Sequence, residues 1–291
     1  MKCDLHVHTN QSGMCSVPLL DRICRECYNE PLAVYETLKR RGMDLITVTD
    51  HDSIGAVEAL RSFENFFLSE EVTCRTPDGT ELHMGVYGIE EFHHIELQRR
   101  RLDLESVLAY LREENLFFTI NHVYSSLTGP RTDADFDMFQ RRFPGVETRN
   151  GQMLAACNRS AARFARQWSK TAVGGSDAHT LSSLGLTWTE VPGATDRREF
   201  LAGLLAARSR VQGESGSYAK LTAAVLGIGW SMLRENPWTG LLAPLFAAVP
   251  AVTLGIFVQE LLFERRWSLR TGVRGAGSLP TVCDSSSPAV S

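Results

Sequence analysis

The chain has 291 residues and a formal net charge of −4, with 34 acidic against 30 basic side chains. This balance gives no reason to expect specific nucleic-acid binding, which is typical of basic proteins. Seven cysteines, an odd number spread along the chain, argue against a disulfide framework and indicate a reducing compartment. Because Met1 runs directly into the first predicted strand, no room is left for a signal peptide, and a cytoplasmic protein is expected.

The first predicted element is a strand at residues 4–8. Its alternation of apolar and polar residues places His6 and His8 on one side and Leu5 and Val7 on the other. Two imidazoles on the same side of a strand can bind one metal ion. A His-x-His pair alone is weak support for a metal site, so this interpretation depends on further ligands.

Helical patterns follow at residues 32–41, 104–115, 154–169 and 196–208. Pro31 and Gly42 flank the first of them, which is the usual asymmetry of helix ends. Asp103 is placed to cap the second. Strands that alternate with helices in this order predict a parallel α/β barrel, with the chemistry on the loops that follow the strands.

Three later strand-like runs, at residues 45–49, 117–120 and 172–175, also end at metal-binding residue types. They lead to His51, to His122, and to Asp177 and His179, which are spaced like the first pair. Clusters of imidazoles and carboxylates that each follow a strand predict a multinuclear metal site. The alternative is a set of core or surface histidines satisfied by backbone groups, which would be scattered without regard to strand ends.

These ordered motifs resemble the polymerase and histidinol phosphatase (PHP) family of metal-dependent phosphoesterases. The matching residues are His6-x-His8, Thr49-Asp50-His51-Asp52, Glu71, Asn121-His122 and Gly175-Ser176-Asp177-Ala178-His179. The resemblance covers about residues 2–212. It implies an α/β fold of the distorted (β/α)7 TIM-like barrel type, with two or three divalent ions at the C-terminal ends of the strands and hydrolysis of phosphate esters.

The implied ligand set adds two residues. Glu71 matches a glutamate that bridges two ions, and His83 lies in a strand-like stretch near a family ligand, with a buried structural histidine as the alternative. The candidate metal ligands are therefore His6, His8, His51, Glu71, His83, His122, Asp177 and His179. Their chemistry does not choose among manganese, iron and zinc. Many members carry an acid directly after the serine of the first motif, whereas Gly13 follows Ser12 here, so a binuclear centre is the alternative to a trinuclear one.

The predicted chemistry follows from the ions. Two cations that share a water lower its pKa, so a hydroxide can attack the ester without a serine or cysteine nucleophile. Arg131 and Arg149 are candidate catalytic clamps for phosphate oxygens because both follow predicted strands, with pairing to surface carboxylates as the alternative. Asp50 is a candidate acceptor that fixes the tautomer of a ligand imidazole, with direct metal ligation as the alternative.

The predicted substrate is a small phosphorylated metabolite or nucleotide. Hydrolysis of an amide or a carboxylic ester is one alternative, because a bridging hydroxide does not in itself require phosphorus. The other alternative is a non-catalytic metal-binding module that presents a hydrophobic hairpin to a membrane or a partner. The absence of an acid at Gly13 is the feature that favours this last hypothesis.

The sequence divides into a metallohydrolase barrel at 1–212, a Gly/Ser-rich linker at 213–217, a hydrophobic helical hairpin at 218–267 and a disordered tail at 268–291. The uncharged run 241–258 has the length of a membrane span, with tryptophan and arginine at its edges. Attachment to the inner face of a membrane is one prediction. Pro244 and Pro250 interrupt the run, so packing on the barrel or on a second subunit is the alternative.

Overall fold

The computed structural model describes residues 1–17, 20–76 and 78–273. Within these ranges the strands are β1 Lys2–Cys3, β2 Ser69–Arg75, β3 Glu81–Tyr87, β4 Phe117–Ile120, β5 Gly145–Asn150, β6 Thr171–Gly175, β7 Thr187–Glu190 and β8 Arg210–Gly213. They form a five-stranded sheet in the order β2-β3-β4-β5-β6 and a three-stranded sheet in the order β1-β7-β8. The fold is therefore of mixed α/β type.

The strand directions correct the predicted all-parallel barrel. β4, β5 and β6 are parallel, but β3 is antiparallel to both β2 and β4. Only five residues separate β2 from β3, and such a short connection can join antiparallel neighbours but cannot make the crossover that parallel strands require. In the described part of the chain the strands make two sheets, and a single closed barrel is not formed.

Two predicted strands, at residues 4–8 and 45–49, carry single bridges instead of ladders. Val7 makes a parallel bridge to Ala178, and Ile46 makes one to Phe66. Side chains replace part of the missing ladder, since the Val7 N–H donates to Thr49 Oγ1 at 3.0 Å and the Thr9 N–H to Asp50 Oδ1 at 2.6 Å. These contacts hold the histidines of both segments beside the parallel strands.

The helices are α1 Pro31–Arg40, α2 Val57–Leu60, α3 Glu91–Arg100, α4 Leu104–Glu113, α5 Asp133–Arg142, α6 Ala155–Gln167, α7 Arg197–Leu205, α8 Tyr218–Glu235, a 3₁₀ helix Pro237–Ala248 and α9 Val249–Arg270. The four helices predicted within the barrel region are confirmed. Pro31 begins α1, and Gly42, with φ of +77°, follows it. Asp103 caps α4 by accepting a hydrogen bond from the Ser106 N–H at 3.3 Å. Helix-end chemistry therefore located these elements correctly.

The main core lies between the five-stranded sheet and the helices that cover it. Val72, Val86, Ile120 and Val146 of the sheet are fully buried together with aliphatic and aromatic side chains of α1, α4, α5 and α6. The parallel strands β4, β5 and β6 end on the same edge of this sheet. The residues that follow these strands therefore meet at one place.

The predicted hydrophobic hairpin, residues 218–267, is called the hydrophobic segment below, and part of it packs into this core. Trp267 of α9 is only 2% exposed and stacks on Phe136 with ring centroids 5.0 Å apart. The predicted boundaries need correction here, because α9 continues to Arg270 and Ser268 is buried, whereas a disordered tail was expected from residue 268. The predicted linker is a short ordered connection, since Ser217 caps α8. Residues 274–291 of the predicted tail lie outside the described residues.

The other part of the segment is exposed and apolar. Leu241 is 89% exposed and Trp238 63%. The stretch Pro237–Arg270 is long and apolar enough to cross a membrane by length and composition, and only 6% of its most apolar window is buried. Both ends of the exposed part contact residues 1–212, called the barrel region below. Glu235 pairs with Arg25 at 2.9 Å, and Glu260 accepts a hydrogen bond from the Ser126 N–H at 2.9 Å.

Candidate metal centre

Glu71 of β2 lies at the centre of the predicted ligands. Its Oε2 atom is 3.0 Å from His6 Nε2, 3.4 Å from His8 Nε2 and 3.5 Å from His51 Nε2. Its Oε1 atom is 3.3 Å from His122 Nε2 and 3.6 Å from His83 Nδ1. The two oxygens of one carboxylate therefore face two different sets of imidazoles, which is the arrangement a bridging ligand needs.

Asp177 completes one side of the cluster. Its Oδ1 atom is 3.2 Å from His8 Nε2 and 3.6 Å from His6 Nε2. Four groups of three donor residues have ligand atoms within 4.8 Å of one another: His6, His8 and Asp177; His6, His122 and Glu147; His8, His51 and Glu71; Glu71, His83 and His122. The structure thus brings together seven of the predicted ligands, with His179 at the edge beside Asp177.

Two donor nitrogens of the cluster face each other at hydrogen-bond distance. His6 Nε2 and His8 Nε2 are 3.0 Å apart, and both face Glu71 Oε2. Bare lone pairs at this distance repel each other, whereas a proton or a metal ion between them and the carboxylates relieves the repulsion. Imidazole and carboxylate are ligands that Mn²⁺, Fe²⁺ and Zn²⁺ all accept. The residues present therefore fit divalent ions.

The charges and the burial within the cluster shift the pKa values of its members in different directions. Burial alone would raise the pKa of Glu71, but the surrounding imidazoles, His6 first, hold it well below its usual range. Burial opposes charge on His51, but Glu71 and Glu26 outweigh it and raise the His51 pKa to about 10. Burial, followed by the charge of His179, lowers the His8 pKa to about 3. A bound cation would replace the protons that now neutralise the carboxylates.

Two imidazoles are oriented by Glu147, a residue that the sequence analysis did not assign. Glu147 Oε1 accepts from His6 Nδ1 at 2.7 Å, and Oε2 lies 3.4 Å from His122 Nδ1. Both histidines consequently turn Nε2 toward Glu71. Glu147 is the third residue of β5 and lies within the strand, so the strand-end pattern that identified the other ligands gave no signal for it. A carboxylate in this position fixes the tautomer and orientation of ligand imidazoles.

Glu147→Gln is expected to weaken divalent-metal binding about 10- to 100-fold, the usual effect of losing a group that orients a ligand. The amide leaves one acceptor oxygen for two imidazole N–H groups that now share a carboxylate. Competition for Mn²⁺ or Zn²⁺ against a chromophoric chelator measures the change. Glu36→Gln, at an exposed position of α1, is the matched control. Equal affinities for the two variants would contradict the orienting role.

Asp50 contacts a ligand imidazole only indirectly, through the Ser12 hydroxyl. Its carboxylate accepts from the Thr9 N–H and hydroxyl and from the Ser12 hydroxyl at 2.7 Å. Ser12 Oγ lies 3.0 Å from His8 Nδ1. Asp50 is fully buried and stands behind Ser12, so its link to the tautomer of His8 passes through that hydroxyl.

The two predicted arginine clamps lie away from the cluster. Arg131 is buried, donates to the Glu81 carbonyl at 2.8 Å and to the Thr128 hydroxyl, and burial lowers its pKa to about 10. Arg149 donates to the Gly213 carbonyl at 2.6 Å and lines a cleft of about 430 Å³. Among the described residues, neither guanidinium has a hydrogen bond or ion pair to the cluster. Their role as phosphate clamps stays a prediction.

Glu26 is a second residue that sequence reasoning missed. Its Oε1 atom lies 3.4 Å from His51 Nε2 and 3.5 Å from His179 Nε2. Together the two imidazoles hold the Glu26 pKa far below its usual range, against the effect of burial. No strand-like run precedes Glu26 in the sequence, so the pattern that identified the other ligands gave no signal here.

Two predicted ligands, and the residue that follows a third, have positive φ angles although none is glycine. The values are 49° for Asp52, 52° for His122 and 51° for Asp177. Asp, Asn and His are the non-glycine residues that adopt this conformation most readily. Left-handed backbone at several positions of one pocket is typical of functional sites, where it aims side chains that a regular strand would direct elsewhere.

The fold and site together define an α/β protein with a buried cluster of imidazoles and carboxylates that is compatible with divalent metal ions. The PHP-associated family matches residues 156–209, a stretch that contains Asp177 and His179. This match and the ordered ligand motifs, which lie together in one pocket, both support assignment to the PHP family.

Similar proteins include an uncharacterized protein of Methanocaldococcus jannaschii, 26% identical over 151 residues, which are 52% of this chain and 82% of that protein. PsfC from Pseudomonas syringae superposes with a TM-score of 0.54 at 16% identity, covering 80% of this chain and 98% of PsfC. The lesion-specific endonuclease PfuEndoQ from Pyrococcus furiosus superposes with a TM-score of 0.50 at 14% identity, covering 72% and 57% of the two chains. At these identities the structural likeness concerns the fold.

Proposed function

We propose that the chain is a metal-dependent hydrolase that cleaves a phosphate ester. The observation that carries this proposal is the position of Glu71, whose two oxygens face His6, His8 and His51 on one side and His83 and His122 on the other. A centre of this kind uses divalent ions, which when bound lower the pKa of a shared water and offset the negative charge that develops on phosphate oxygens.

The residues of the chain have separate roles in this proposal. His6, His8, Asp177 and Glu71 would hold one ion, and Glu71, His83 and His122 another. Glu147 holds the imidazoles of His6 and His122 with Nε2 toward Glu71. His83 and His51 are about 16–17% exposed, whereas His6 and His8 are almost fully buried. Substrate therefore approaches from the side of His51 and His83.

The choice of phosphate ester over amide or carboxylic ester rests on the resemblance to the PHP family and on the chemistry of the donor set. A carboxylate-bridged pair of cations matches the two charged oxygens of a phosphate group better than the single oxygen of a carbonyl. Small phosphomonoesters and nucleotides are the first substrates to test. Phosphodiesters are tested as well, because PfuEndoQ, which has a similar fold, is an endonuclease.

The protein is stripped with a chelator, reloaded with Mn²⁺ and incubated with phosphomonoesters, phosphodiesters, amides and carboxylic esters. Turnover of a phosphate ester that is abolished by the chelator and restored by Mn²⁺ is expected. Turnover of an amide or carboxylic ester alone would replace the proposal with the other hydrolase hypothesis. Metal binding without turnover of any class would favour the non-catalytic module.

The location of the protein is a second part of this proposal. The run from Pro237 to Val258 contains no charged residue, and its leucine, valine and tryptophan side chains are largely exposed. Such a surface is unfavourable in water. We propose that it inserts into one leaflet of a membrane without crossing it, because Glu235 before the run and Glu260 after it both contact the barrel region.

A further inference from the structure

The first motif lacks the acidic residue that the family resemblance places after its serine. Gly13 occupies that position with φ of +87°, and a Cβ atom added there would meet nothing within 4 Å. Space for a side chain therefore exists beside the pocket, but the chain supplies none at this position.

The chain places Glu26 against this same position. The Glu26 N–H donates to the Gly13 carbonyl at 3.1 Å, and the Cys15 N–H to the Cys24 carbonyl at 3.0 Å. Met14 and Arg25 form an antiparallel bridge between these two contacts. The segments 13–15 and 24–26 thus run side by side, which brings a residue 13 positions later in the sequence to the site that Gly13 leaves without a carboxylate.

The Glu26 carboxylate points at two predicted ligands. Its Oε1 atom is within 3.5 Å of Nε2 of both His51 and His179. His51 Nε2 in turn lies 3.5 Å from Glu71 Oε2, so this group adjoins the central carboxylate. Glu26 is 29% exposed, against 16% for His51 and 18% for His179. The three side chains form the open edge of the cluster, where water and substrate have access.

We infer that Glu26 is a metal ligand that replaces the acid missing at Gly13, so that Glu26, His51 and His179 bind a third divalent ion. The inference rests on the proposed metal centre. It makes the centre trinuclear, although the first motif by itself indicates two ions. Arg25, the neighbour of Glu26, pairs with Glu235 of α8, so the hydrophobic segment also helps to hold the ligand-bearing loop in place.

The test is the metal content of protein stripped with a chelator, reloaded with Mn²⁺ and desalted. The wild type is expected to retain three ions per chain and Glu26→Gln two. Glu36→Gln, on the exposed face of α1, is expected to retain three, and circular dichroism checks that each variant is folded. Two ions in the wild type, or the same number in the wild type and Glu26→Gln, would overturn the inference.

A second measurement separates metal ligation from a simple ion pair with protonated histidines. Anomalous scattering from Mn²⁺ in crystals of the wild type is expected to show a peak between Glu26, His51 and His179, which Glu26→Gln crystals lack. In the Glu26→Gln background, Gly13→Asp is expected to restore the third ion at some cost in backbone strain, because aspartate is one of the few non-glycine residues found at positive φ and an added Cβ meets nothing within 4 Å. Only two peaks in the wild type would exclude the third site.

These measurements do not depend on turnover. Three ions without hydrolysis of any substrate would leave the ligand assignment standing and remove the proposed enzymatic function. Two ions together with phosphate-ester hydrolysis would do the opposite.

Discussion

Glu71→Gln is expected to lower kcat/KM for the phosphate-ester substrate by about 10³-fold and to remove at least one bound metal ion. Each Glu71 oxygen faces a separate set of imidazoles, and glutamine keeps one neutral oxygen and places an NH₂ group at the other position. Bound metal ions supply several kcal/mol of transition-state stabilisation, and about 1.4 kcal/mol corresponds to one factor of ten in rate. Loss of an ion therefore accounts for about three factors of ten.

Glu70→Gln is a closely matched control. Glu70 is the preceding residue of β2 and is equally buried, but it points to the opposite face, where its Oε2 atom is 2.7 Å from His94 Nδ1. Metal content and kcat/KM of this variant should stay near wild type. Steady-state kinetics and elemental analysis of both variants measure the difference. A large loss in Glu70→Gln with none in Glu71→Gln would show that the strand register assigned to the metal centre is wrong.

The ligands that could be predicted from the sequence are those that follow a strand-like run. His122, Asp177 and the His6-x-His8 pair each come at the end of such a run or within it, and parallel strands end on one edge of a sheet. Local periodicity and a rule of topology therefore suffice to bring them together. Helix ends were equally accessible, because Pro31, Gly42 and Asp103 carry conformational preferences that act within a few residues.

The role of Glu26 could not be predicted from local sequence patterns. Its place in the cluster depends on the pairing of segment 13–15 with segment 24–26, and nothing in the local sequence pattern encodes that pairing. The direction of β3 was missed for a different reason. Antiparallel order follows from the short connection between β2 and β3, but residues 69–75 were not predicted as a strand, so this connection was not considered.

Partial burial of the hydrophobic segment also could not be read from its composition. Trp267 and Leu241 lie in the same apolar stretch, yet one is 2% exposed and the other 89%. Trp267 meets Phe136, a partner 131 residues earlier, at 5.0 Å. The sequence shows that both side chains are largely apolar, but only tertiary contacts decide which of them is buried in the protein.

The contacts at the two ends of the exposed run support the proposed insertion into one leaflet over a crossing of the membrane. A helix that crosses a bilayer separates its ends by about 30 Å of hydrocarbon. Here the residue before the run, Glu235, and a residue soon after it, Glu260, are both bonded to the barrel region. A crossing would break one of these contacts and would withdraw Trp267 from the core.

The double variant Leu241→Asp with Leu245→Asp is expected to lower binding to preformed vesicles of phosphatidylcholine and phosphatidylglycerol by at least about 10²-fold. These leucines are 89% and 62% exposed, so the substitutions leave the core unchanged. Burying a leucine side chain in an apolar phase contributes about 1.5–3 kcal/mol, and about 1.4 kcal/mol corresponds to one factor of ten in affinity. Two leucines therefore account for at least about two factors of ten, before the cost of inserting aspartate.

Vesicle co-sedimentation measures this binding, and Leu102→Asp is the control, since Leu102 is 83% exposed on the connection between α3 and α4. The control should bind vesicles like the wild type. Sedimentation velocity without lipid tests the alternative that a second subunit covers the apolar surface. A wild-type dimer that the double variant abolishes would support that alternative. Equal vesicle binding by all three proteins would exclude the run as the membrane contact. Binding of the folded protein to preformed vesicles, with the Arg25–Glu235 pair intact, is the behaviour that insertion into one leaflet requires.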